Sequence, residues 1–122
     1  MFEGPDLDAA ERRIDDWQAG FEQRAAQARE LAARLAVLTA SARSDDGLVT
    51  VTVGGNGMLT GLELHEDVRR QPAADTARQI LVTLAAAQSD LVTRATSVTA
   101  ETVGADSETG QAVIASLARR QA

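Results

Sequence analysis

Cysteine is absent from this chain of 122 residues, and so is lysine. Without cysteine there is no disulfide framework and no thiolate metal site, which fits a cytoplasmic setting. Every cation is an arginine. Aromatic side chains are scarce: Phe2, Trp17 and Phe21 are the whole supply. Much of the hydrophobic fraction is alanine, which buries little area, so thin helix packing and a partner subunit are expected. No apolar run approaches the length of a membrane span. The opening stretch, MFEGPDLDAAERR, lacks the basic region and apolar run of a signal peptide.

Strong basicity is missing as well. The formal net charge is −6. Residues 1–46 carry ten acids against six arginines, and residues 69–122 carry five acids against six arginines. No segment has the basic footprint common in nucleic-acid binders. Catalytic patterns are lacking too. His65 is the only histidine, and it stands beside Glu66 and Asp67 at a strand end with no converging partners. It reads as a solvated loop residue. The run GGNG at 54–57 lacks the Gly-x-x-x-x-Gly-Lys-Ser/Thr pattern of a phosphate loop and is flanked by strands. No nucleophile elbow appears. The chain therefore reads as non-enzymatic, with no metal or other cofactor and no small-molecule substrate.

What is present is periodicity. From about Leu7 to Leu38 the apolar residues step by three and four. Ile14, Phe21, Ala28 and Leu35 hold one seam position, and Trp17, Arg24, Leu31 and Leu38 the other. Asp6 or Asp8 is available to cap the start of this long helix. Gly20 lies inside it at a cost of about 1 kcal/mol relative to alanine. Arg24 either lays its stem along the seam with its guanidinium in water or acts as a register device. On a helical wheel, Arg12, Arg13, Arg24 and Arg34 gather on one flank of the seam. Asp8, Glu11, Asp15 and Glu22 gather on the other, while Asp16 and Glu30 dilute the arginine flank. One reading is an ordinary solvated helix. The other is a narrow cationic edge that a dimer doubles into a phosphate-contacting track.

GLVTVTVGGNGMLTGLELHED, residues 47–67, is the one stretch that reads as sheet. Val49, Val51 and Val53 share a face by the two-residue period. GGNG tolerates the positive φ of a tight turn. The return strand puts Leu62 and Leu64 on one face, with Gly61, Glu63 and His65 opposite. One hairpin is marginal alone, so these five apolar residues are expected to form core or a dimer contact. Pro72 suits a helix start. A second amphipathic helix is expected from about Ala74 to Val103, with Gly104 as its stop. The tail, 104–122, reads either as a short helix around Val113, Ile114 and Leu117 or as a segment loose until bound.

The run GLVTVTVGGNGMLTGLEL, followed by the acidic HEDV and a helix starting near Pro72, resembles the YbaB/EbfC family of nucleoid-associated DNA-binding proteins over about residues 8–103. The resemblance implies an α+β fold: a long helix, a small three-stranded antiparallel sheet whose first strand lies within TASARS at 39–44, and a second long helix. It implies one domain over 1–103 and a tweezer-shaped homodimer with projecting helical arms. It also implies DNA binding of low sequence specificity in the bacterial cytoplasm, at the nucleoid, with Arg12, Arg13, Arg24 and Arg34 as candidate contacts. Divergent actinobacterial members are associated with type VII secretion loci. They imply the alternative of an accessory, chaperone-like factor that grips a protein partner through Trp17 and Phe21.

Overall fold

The computed structural model describes residues 4–121. The order is α1 (Gly4–Ala36), β1 (Ala40–Arg43), β2 (Val49–Val53), β3 (Leu59–Leu64), a short 3-10 helix (Glu66–Arg70), α2 (Ala73–Val103) and α3 (Glu108–Gln121). The strands form one antiparallel sheet in the order β1-β2-β3. The α+β architecture expected from the sequence is therefore present.

α1 runs unbroken through Gly20. Asp6 and Asp8 lie inside it, so neither marks its start. The helix stops at Ala36, two residues short of the seam's last leucine, and Leu38 closes a turn on the Leu35 carbonyl. The reason is tertiary. Ala40 is buried and pairs with Val53, so the chain must be extended by then. Pro72, with φ −59° and ψ 142°, is the N-cap of α2, and Gly104 ends that helix at φ 84°. Both positions match the sequence expectation.

The core is small. Val49, Val51 and Val53 are fully buried, and they pack with Ala40, Ala87 and Leu91. Leu38, Ala42, Ile80 and Leu84 close the margins. α2 packs across β1 and β2 and hardly reaches β3. Leu62 and Leu64 stand opposite Val51 and Val49 and so share the helix-facing side. They remain 41% and 45% exposed because α2 does not cover them. An irregularity at Thr52/Val53 leaves Thr60 unpaired and sets Leu59 opposite Val53. This extra residue shifts the alternation, so Leu59 joins Leu62 and Leu64.

Beyond this core, Leu31 of α1, Ala95 and Thr99 of α2 and Leu117 of α3 are also buried, and α2 packs against both other helices. The tail is thus a packed helix, the first of the two readings of 104–122. Its return along α2 is made by a tight corner. The Ser107 hydroxyl donates to the Gly104 carbonyl and accepts from the Gly110 amide.

A polar chain ties the β1–β2 turn to the start of α2. Asp46 accepts hydrogen bonds from the Leu48 amide at 3.0 Å, the Ser44 hydroxyl at 2.8 Å and the Gln79 amide group. Gln79 in turn accepts from Gln71, which also donates to Thr76. The Leu48 amide foremost, then the Ser44 hydroxyl, hold the Asp46 carboxyl below its ordinary value. A depressed native pKa stabilises the fold above the unfolded-state pKa, and that stabilisation fades as pH falls through the native one. Asp46→Ala is therefore expected to unfold at lower urea concentration than the parent at pH 7. The gap should narrow as pH falls below the ordinary carboxylate range. A gap independent of pH would mean that the carboxylate charge is not what holds the turn.

Candidate nucleic-acid interface

α1 is about 50 Å long at 1.5 Å per residue, and most of it is uncovered. Leu31 is its only buried residue among those whose side chains are described. N-terminal to it, Leu7, Ile14, Trp17 and Phe21 are all at least half exposed. The seam legible in the sequence is thus packed at its C-terminal end and open along the rest. The arm exists as a free amphipathic helix.

The four candidate arginines do not share one situation. Arg12 lays its guanidinium back along the helix, with Nε donating to the Asp8 carbonyl at 3.3 Å. Arg13 is exposed and makes no ion pair among the described residues. Arg24 lies over Gly20: its Nη1 would be 3.8 Å from a Cβ at that position. Arg34 is occupied elsewhere. It donates to the Thr102 hydroxyl at 2.6 Å and forms an ion pair with Glu101 at 3.1 Å, clasping α1 to the end of α2. The free cationic edge therefore comprises Arg12, Arg13 and Arg24, with Arg34 at its root as a tie to the body.

The remaining candidates divide cleanly. Val49, Val51 and Val53 are core, while Leu59, Leu62 and Leu64 form an exposed strip on β3. Leu81 of α2 is 66% exposed. It lies two turns before Gln88, on the same helix face, and Gln88 donates to the Gly57 carbonyl in the β2–β3 turn. The strip depends on where α2 stops covering the sheet, which strand periodicity cannot report. His65 caps the 3-10 helix, its Nδ1 accepting from the Asp67 amide at 3.1 Å.

The clefts differ in character: Arg43, Asp45, Asp46, Asp75 and Arg78 line one between the β1–β2 turn and the start of α2. An open cleft of about 610 Å³ at the root of the arm is lined by residues such as Leu35, Leu38, Asn56, Val113 and Leu117, and no titratable side chain is among them. Among the described residues no three His, Asp or Glu side chains converge as a metal site. No helix among them is long and apolar enough to cross a membrane.

A model of the YbaB/EbfC DNA-binding family matches residues 11–106. The match takes in most of the arm, the whole sheet and α2, and ends just before α3. No curated protein and no solved structure shows significant similarity to the chain.

Proposed function

Because the chain belongs to the YbaB/EbfC DNA-binding family, we propose that it binds duplex DNA with low sequence specificity, as a homodimer at the nucleoid. The observation that carries this reading is the match spanning an exposed helical arm with a cationic edge at Arg12, Arg13 and Arg24. Contacts of arginine with phosphates fix position without reading sequence, which accounts for the low specificity. The acidic body does not prevent this, because a local track acts despite the net charge. No enzymatic step belongs to the proposal.

The dimer is inferred from the uncovered strip. Leu59, Leu62, Leu64 and Leu81 expose apolar area beside a core that is itself small. β3 is also an edge strand, and such an edge offers unpaired backbone groups for pairing with another chain. A second copy would cover both. The protein-partner alternative has no such support, since the family description names DNA.

Fluorescence anisotropy with a random-sequence duplex tests the reading. Binding should be measurable at about 50 mM salt and fall steeply by about 200 mM, as counterion release requires. Reversing Arg12 and Arg13 to glutamate should weaken binding to all sequences alike and reduce the salt slope by about two for each arm of the dimer engaged. Absence of binding at the lower salt would end the DNA reading.

A further inference from the structure

The arm has a feature that contact with duplex phosphates does not use. Trp17 and Phe21 stack on each other, ring centroids 5.8 Å apart and planes inclined by 21°. They are nevertheless 64% and 57% exposed. Arg13 precedes the pair by one turn and Arg24 follows it by nearly one. At 100° per residue the four side chains fall within an arc of roughly 80°. Both arginines are exposed and form no ion pair among the described residues. Asp15 and Glu22 lie on the opposite flank, and Asp16 borders the arc.

A second helix is a poor occupant for this stripe. Arg24 holds the seam position that a pairing helix needs apolar, and a helix that covered it would strip water from an unpaired charge. A strand of unpaired nucleotides answers both demands. Its phosphates neutralise the arginines, and its bases offer flat π-faces to exposed rings.

We propose that Trp17 and Phe21 form a stacking platform for unpaired bases, bracketed by phosphate contacts from Arg13 and Arg24. The arm then prefers single-stranded or locally opened DNA to intact duplex. The proposal rests on the DNA-binding reading above and specifies its substrate. Stacking is insensitive to salt while phosphate contact is not, so single-strand binding loses less affinity than duplex binding as salt rises.

Trp17 is the only tryptophan, so its emission reports on the platform directly. The full-length protein is titrated with a labelled oligothymidine and with a labelled duplex of equal length, following anisotropy and tryptophan emission together. Emission should be quenched by the single strand over the range in which anisotropy rises. Trp17→Ala and Phe21→Ala should each lower single-strand affinity about tenfold or more and leave duplex affinity nearly unchanged. Trp17→Phe should retain most of the single-strand binding. Both positions are exposed and lie outside the buried core, and far-ultraviolet circular dichroism verifies that the variants remain folded. Duplex binding with neither quenching nor a single-strand preference would overturn the platform and leave the duplex reading standing. Binding to neither nucleic acid would remove both. A blue shift of Trp17 emission that grows with protein concentration alone, and vanishes in Phe21→Ala, would overturn the proposal by assigning the stripe to pairing between copies.

Discussion

Gly55→Ala is expected to cost about 2–3 kcal/mol, the range for forcing atoms into a filled space. It should also loosen the end of α1 from the sheet. A Cβ at Gly55 would collide with the Leu35 carbonyl oxygen and come within 3.2 Å of the Ala36 carbonyl oxygen. Both are backbone atoms and cannot swing aside like a side chain. The Leu35 carbonyl already accepts from the Leu38 amide, and two residues on the chain enters β1 with Ala40 buried. The contact has no slack on either side. Gly57 supplies the control within the same turn. Its φ is +81°, yet nothing lies within 4 Å of a Cβ there. Gly57→Ala should therefore cost only the left-handed penalty, about 1 kcal/mol. Urea denaturation of the two variants measures the difference, and the midpoint should fall further for Gly55→Ala. The opposite order would show that φ, rather than close approach, sets the demand for glycine in this turn.

The contrast between these glycines also shows what a sequence can convey. GGNG announces a turn through local backbone preference, and Gly57 fulfils that reading. Gly55 is required by a carbonyl twenty residues away, which no local pattern encodes. The same division holds elsewhere. Val49, Val51 and Val53 were legible because alternation is a short-range signal. β1 was only half legible: TASARSDD, residues 39–46, reads either as an extension of the first helix or as a short, weak strand, and the family resemblance selected the strand. Arg34 looked equivalent to Arg13 on a helical wheel, yet its partners Thr102 and Glu101 lie 68 and 67 residues along the chain. The tail stayed ambiguous because its packing depends on the Gly104–Ser107–Gly110 corner. A Cβ at Gly110 would collide with the Gly104 carbonyl oxygen. The open arm shows the limit of periodicity, since period alone does not say whether a stripe is covered.

Leu62→Glu combined with Leu81→Glu is expected to convert the proposed dimer to monomer and to lower duplex affinity at least about tenfold, since linked sites lose far more than that when separated. The two leucines lie on β3 and α2, at the margin where the helix stops covering the sheet, and each is partly exposed within one chain. A glutamate at either place is solvated in the monomer, so the subunit's own core is spared. Buried against a second copy, the same glutamates would carry unpaired charge out of water, a penalty that association cannot offset. The two-fold relation places each substitution in the contact twice, which magnifies the effect. Loss of the dimer leaves each molecule with one arm where two acted together. Analytical ultracentrifugation reads the mass, circular dichroism checks that the subunit stays folded, and anisotropy reads the affinity. A folded monomer that binds as tightly as the parent would show that one arm suffices. A double variant that stays dimeric would move the interface away from β3, most directly to the opposite, threonine-lined face of the sheet, where Thr50 and Thr52 are only partly exposed.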